Sequence, residues 1–141
     1  SDANIHITNA LLGNEVGSVW FDPDSDNDGL GARIEARPTP ATIELQTLRM
    51  DDILPNPSSV TGRVQIALDV EGAESAVLYG ARRFIESVRP TLSICIYHSP
   101  HDLIYIAQIV EQIVPEAYDF HVRQHSTLSP IETVLYGLPR G

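Results

Sequence analysis

The sequence predicts an α/β fold in which helices pack on a mixed parallel and antiparallel sheet, preceded by an N-terminal β-hairpin. Three observations predict it. Two apolar runs, "RVQIALDV" and "TLSICIYH", have the length and composition of strands buried on both faces of a parallel sheet. Each is followed by a segment with helical spacing, giving the order strand, helix, strand, helix. Two further strand-like segments, "YDFHVRQHS" and "ETVLYGLP", are joined by the short loop "TLSPI", which favours an antiparallel pair. The 141 residues suffice for one domain with its own core. It divides into a hairpin region over residues 1–55 and an α/β core over residues 63–141.

Taken in order, "NIHITNALLG" alternates through Ile5 and Ile7 and reads as a strand ending near Gly13. "GSVWFDP" is a second strand, closed by Pro23. A long loop rich in Gly, Pro and Asp follows. "TIELQTLRM" alternates Ile43 and Leu45 and can pair with "SVWF" as a hairpin across that loop. "MDDILP" suits one helical turn. "EGAESAVLYGARRFIESVRP" places apolar or small residues at Ala73, Val77, Ala81, Phe84 and Val88, a helical stripe that Pro90 closes. "SPHDLIYIAQIVEQIVP" is a second helix, with Ser99 as N-cap, Pro100 at the first position and Asp102 three residues after the cap.

Composition excludes several partners. The formal net charge is −10, and the nine Lys and Arg residues do not cluster beyond Arg82-Arg83. Nucleic acid and anionic membrane are therefore not expected as partners, because both need clustered cations. No apolar run approaches the roughly 18–20 residues of a membrane span, and no signal peptide is visible. The lone Cys95 cannot form an internal disulfide, which fits a reducing cytoplasm. The chain starts "SDAN" without a methionine, consistent with a native start further upstream.

The segments "LDVEGAESAVLYGA" (Leu68 to Ala81), "RPTLSICIYHSPHDL" (Arg89 to Leu103) and "HVRQHS…ETVLYGLP" (His121 to Pro139) together resemble the FkbM family of S-adenosylmethionine-dependent methyltransferases. "NALLGNEVGSVWF" and "TLRMDDIL" resemble the segments that precede these, so the resemblance covers nearly the whole chain. It implies the C-terminal part of a Rossmann-like methyltransferase sheet. It also implies methyl transfer from S-adenosylmethionine to the oxygen of a small metabolite or sugar. Two features depart from the family. The glycine-rich strand-turn-helix and the ribose-binding acid of the cofactor site belong upstream of the matching segments. "GLGARI" from Gly29 lacks a third glycine, so tight cofactor binding by this chain is not expected. Ala67 stands where the family commonly has lysine.

In an open α/β sheet, ligands bind outside the carboxyl ends of the strands. Asp69, Glu71 and Glu74 follow the end of one strand, His98 ends the next, and Arg123 and His125 lie near the end of a third. The candidate catalytic residues are Asp69 and His98, and the candidate acceptor-binding residues are Glu71, Glu74, Arg123 and His125. Methyl transfer to a hydroxyl needs a base for its proton. Alternatively, a divalent metal held by carboxylate and imidazole lowers the hydroxyl pKa. Each residue also has a plainer role. Asp69 caps the following helix. Glu71 and Glu74 complement its dipole in the first turn. His98 is a satisfied polar residue ahead of a capped helix, while His101 and Asp102 start that helix. His121, Arg123 and His125 share strand parity and form a solvated face. Cys95 and His98 have opposite parity, which argues against a nucleophile pair, and no G-x-S-x-G elbow is present.

"DPDSDNDGLGARIE" places Asp24, Asp26, Asp28 and Glu35 at the spacing of a calcium loop. Such a loop needs helices on both sides, whereas "SVWF" and "ARPTPAT" flank this one. A solvated acidic loop that binds calcium weakly is expected rather than a specific calcium site, and the alternative to the methyltransferase reading is a non-catalytic, folded and oligomerising module that carries this loop. Finally, residues 64–70 should form a strand with an unpaired edge, since the strands that flank it in the family lie outside this chain. Such an edge recruits another chain, so a homo-oligomer is expected, with fold-back of the hairpin as the intramolecular alternative.

Overall fold

The computed structural model describes residues 5–23, 33–127 and 132–141. The N-terminal region forms a four-stranded sheet from β1 (Leu11–Leu12), β2 (Gly17–Asp22), β3 (Arg33–Glu35) and β4 (Ile43–Leu48), in the order β1-β4-β2-β3. The expected hairpin is its centre, with β2 and β4 antiparallel and Val19 opposite Leu45. The first strand is much shorter than the alternation of Ile5 and Ile7 suggests. Both side chains point into solvent, at 80% and 90% exposure, so the alternation finds no surface to bury against.

A single helical turn, α1 (Met50–Ile53), leads by a short 3-10 turn to the second sheet. This sheet contains β5 (Gln65–Leu68), β6 (Thr91–Cys95), β7 (Tyr118–Gln124) and β8 (Thr133–Pro139) in the order β5-β6-β8-β7. β5 and β6 are parallel, as the helical connection between them requires. β8 is antiparallel to both β6 and β7, so the last two strands pair as expected.

One expectation needs correction. β5 is not buried on both faces. Ile66 and Leu68 are buried, while Gln65 and Ala67 are exposed. The helices α2 (Glu74–Gly80), α3 (Arg82–Val88) and α4 (Asp102–Ile113) give the core its second layer. Val77, Leu78, Ile85, Ile106 and Val110 from these helices share a core with Leu92, Ile94 and Leu135 of the sheet. The opposite face carries Gln65, Ala67 and Ser93 and is open to solvent. Gln65 there donates to Ser93 across the two strands.

The predicted long helix is also divided. Its stripe is correct, since Val77, Ala81 and Phe84 are buried. The helix breaks at Ala81, however, and Asp51 of α1 fills the break. Its carboxylate accepts from the backbone N–H groups of Arg83 and Phe84, both at 2.9 Å. These are first-turn donors that a helix cannot satisfy internally. α3 ends with Arg89 in the left-handed region, at φ 49°, just before Pro90.

The N-terminal sheet meets the core beside α2. Gly80 lies so close to Gly13 that an added Cβ would come within 2.0 Å of the Gly13 carbonyl oxygen. Among the described residues β5 pairs with β6 alone, and the N-terminal sheet does not hydrogen-bond to its free edge. No described helix is long and apolar enough to cross a membrane.

Candidate active site

The site is built where β5 and β6 end. After β5 the chain turns through Val70, Glu71, Gly72 and Ala73, and Ala73 donates back to the Val70 carbonyl. Both central residues have positive φ, 50° at Glu71 and 93° at Gly72, the signature of a type I′ turn. Glycine adopts this backbone freely, but glutamate is strained there, by about 1 kcal/mol. Strain of this kind concentrates at functional sites. The turn sets Asp69 and Glu71 on the rim, their side chains more than half exposed.

Glu74 behaves differently. It begins α2, yet its side chain is fully buried rather than solvated beside the helix terminus. Its Oε1 accepts from the Val70 backbone N–H at 3.2 Å and lies 2.8 Å from Nδ1 of His98. His98 sits in the loop between β6 and α4. Its Nε2 points toward the rim, 3.4 Å from both Asp69 Oδ1 and Glu71 Oε2. The His98 side chain is only 9% exposed, and Nε2 makes no hydrogen bond. The two 3.4 Å contacts are ion-pair distances but too long for charge-assisted hydrogen bonds.

Sequence reasoning missed two neighbours. The Tyr97 hydroxyl donates to Asp69 Oδ1 at 3.2 Å. Burial, and then the Asp69 carboxylate, push this phenol up to about 12, so it remains a donor through the working pH range. The Cys95 thiol is pushed up to about 11, first by burial and then by Asp69. Strand parity carried the signal. Ala67 pairs with Ser93 on the open face, and Asp69, Cys95 and Tyr97 continue that face by twos.

The candidates are therefore partly brought together. Asp69, Glu71, Glu74 and His98 form one cluster. Asp69 does not cap α2, whose N-cap residue Ala73 makes no side-chain capping bond. Arg123 and His125 reach the same rim by way of β7, beyond β8. Two strand spacings, about 9–10 Å, separate β7 from β6. There the His125 ring nitrogen lies 2.9 Å from the Tyr136 hydroxyl, and Arg123 is exposed. α4 starts at Asp102, with His101 rather than the expected Ser99 at its N-cap and no side-chain capping bond; Ser99 and Asp102 close the turn ahead of it. The Asp102 carboxylate accepts from Ser99 N–H at 2.9 Å, and Ser99 Oγ accepts from His101 N–H. Burial and the nearby Glu74 hold the Asp102 carboxyl above its ordinary range. Asp24, Asp26 and Asp28 of the acidic loop lie outside the described residues. Glu35 lies on β3, opposite Trp20 of β2, so strands rather than helices flank the loop.

A groove of about 610 Å³ lies beside the turn, lined by Leu11, Leu12, Phe21, Ile34, Val70 and Glu71 among others. Glu71 is the only charged residue among the described residues that line it.

A sheet with ligand groups at the carboxyl ends of adjacent parallel strands defines an α/β protein of the Rossmann-like kind. The chain belongs to the family described as the Methyltransferase FkbM domain, whose sequence profile matches residues 2–131. The fold is similar to that of a crystal structure of methyltransferase FkbM from Methylobacillus flagellatus KT, with a TM-score of 0.69 and 24% identity. That match covers 94% of this chain and 28% of the other, so this chain spans less than a third of the neighbour's length. No curated protein matches the sequence.

The family's methyl donor is S-adenosylmethionine. Among the described residues, no strand leads through a glycine-rich turn into a helix.

Proposed function

We propose that this chain supplies the acceptor side of a methyltransferase site, with methyl transfer to the oxygen of a small metabolite or sugar. The observation that carries this reading is the buried His98 imidazole. Glu74 anchors its Nδ1, and its Nε2 is left without a hydrogen bond beside Asp69 and Glu71. An acceptor hydroxyl placed at Nε2 gives up its proton there: the O–H bond breaks and an N–H bond forms. Asp69 stabilises the resulting imidazolium and is itself fixed by the Tyr97 hydroxyl. Glu71 offers an acceptor for a second hydroxyl, as a sugar would present. Arg123 and His125 are outlying binding groups, reached only by an acceptor that extends along the rim.

The free edge of β5 favours association of the chain with a second copy. The formal charge of −10 disfavours nucleic acid and anionic membrane. A single thiol outside any disulfide is in keeping with a reducing, cytoplasmic setting. The test is a labelled-methyl assay of the protein carrying this chain, with hydroxylated sugars and small metabolites beside amine and thiol acceptors. Label entering only nitrogen or sulfur acceptors would sink the oxygen assignment.

A further inference from the structure

The rim cluster contains two buried atoms that nothing satisfies, His98 Nε2 and Glu74 Oε2. Leaving a buried polar atom unpaired costs about 1–3 kcal/mol, and more for a charged one. Their surroundings are acidic. Asp69, Glu71 and Glu74 gather around one imidazole, and among the described residues no Lys or Arg forms an ion pair with any of the three. One ligand atom each from Asp69, Glu74 and His98 lies within 4.8 Å of the other two.

The spacing is informative. A protonated Nε2 donating to either rim carboxylate would sit about 2.7–2.9 Å from it. The observed separation is 3.4 Å to both Asp69 and Glu71. Two ligand atoms each about 2.1 Å from a shared metal, and about 109° apart, are separated by about 3.4 Å. The Glu74 carboxylate at Nδ1 adds a second feature of metal-binding histidines, whose other ring nitrogen is held by a carboxylate or carbonyl.

We propose that Asp69, Glu71 and His98 Nε2 bind a divalent transition-metal cation, with Glu74 holding the imidazole at Nδ1. Two carboxylates and one imidazole suit manganese or zinc, whereas calcium takes an all-oxygen shell. A bound cation gives His98 Nε2 the partner it lacks and neutralises the acidic rim. It also provides an alternative to the base chemistry proposed above, because a hydroxyl bound to the metal loses its proton more readily while Nε2 on the metal no longer takes it. The inference concerns the same cluster as that reading but does not depend on methyl transfer. It is tested with the metal alone, so either can fail without the other.

The experiment is a titration of the chain with Mn2+, followed by the loss of the free ion's electron paramagnetic resonance signal. The expected result is one site per chain with a micromolar dissociation constant and a nitrogen modulation in the spin-echo spectrum from the imidazole. Asp69→Asn, at an exposed position, should weaken binding at least about tenfold, and His98→Ala should also abolish the nitrogen signal. Asp24→Ala combined with Asp26→Ala should change neither, which separates this site from the acidic loop. Binding no tighter than about millimolar would overturn the proposal. So would micromolar binding without nitrogen modulation, or binding that Asp69→Asn leaves unchanged. If His98→Ala fails to fold, the wild-type spectrum and Asp69→Asn still decide.

Discussion

Nδ1 of His98 lies 2.8 Å from Oε1 of Glu74, joining the loop after β6 to the first turn of α2. This contact holds the imidazole at the rim. It also explains why a carboxylate at a helix start is fully buried here instead of being solvated. The same carboxylate accepts from Val70 N–H, so one side chain fixes the turn after one strand and the imidazole after the next.

Asp51→Ala should destabilise the fold by about 1–2 kcal/mol, because two first-turn N–H groups of α3 lose their acceptor. Thermal unfolding should shift down by roughly 3–10 °C. Asp52→Ala serves as the control. Asp52 pairs with the neighbouring Arg49 on the surface, and its loss should change stability far less than the loss of Asp51. Equal effects of the two substitutions would contradict the capping role of Asp51.

Gly80→Ala reverses the usual rule for helices. Alanine is favoured over glycine in a helix by about 1 kcal/mol. At position 80, though, the new methyl group would meet the Gly13 carbonyl oxygen at 2.0 Å. The backbone must move, and overpacking of this kind costs about 1–3 kcal/mol. A lowered unfolding temperature is expected. An increase would mean that the N-terminal sheet does not lie against α2.

The fold was legible where the sequence pattern had a single physical cause. The parallel pair and the closing antiparallel pair follow from local signals that the tertiary structure leaves intact, whereas α4 starts later than its Ser99-Pro100 signal implies. The break at Ala81 was hidden because its cause, Asp51, lies more than thirty residues upstream. The open face of β5 was misread for a similar reason. An alanine between Ile66 and Leu68 extends an apolar run whether or not anything covers it. The proximity of Asp69 and His98 follows from their position at strand ends. Glu74 was ranked below them because a first-turn acid is usually solvated, and nothing local reports that it is buried.

The Cys95 thiol gives a pH-dependent readout of the rim. Burial and Asp69 push it from 9.0 to about 11. Near pH 8 its thiolate fraction, and so its alkylation rate, should be about 100-fold below that of an unperturbed thiol. The rate should climb through about pH 11 while the fold persists. Asp69→Asn removes a negative charge, lowers the thiol pKa and should accelerate alkylation. Unchanged kinetics in that variant would separate Cys95 from Asp69.

Sedimentation across a concentration series should show a homodimer or larger assembly, driven by the unpaired edge of β5. Amides of Gln65–Leu68 should become more protected from exchange as concentration rises. A monomer at high micromolar concentration would remove edge pairing as a mode of association.

Whether the cluster at the ends of β5 and β6 handles the acceptor hydroxyl is decided by methyl-transfer turnover of the protein carrying this chain, compared with its His98→Ala and Asp69→Asn variants, with folding checked by thermal unfolding. Each folded variant should turn over about 100-fold more slowly or worse, the usual scale for loss of an acid–base or ligand group. Wild-type turnover in both folded variants would contradict that role and assign the cluster to structure alone.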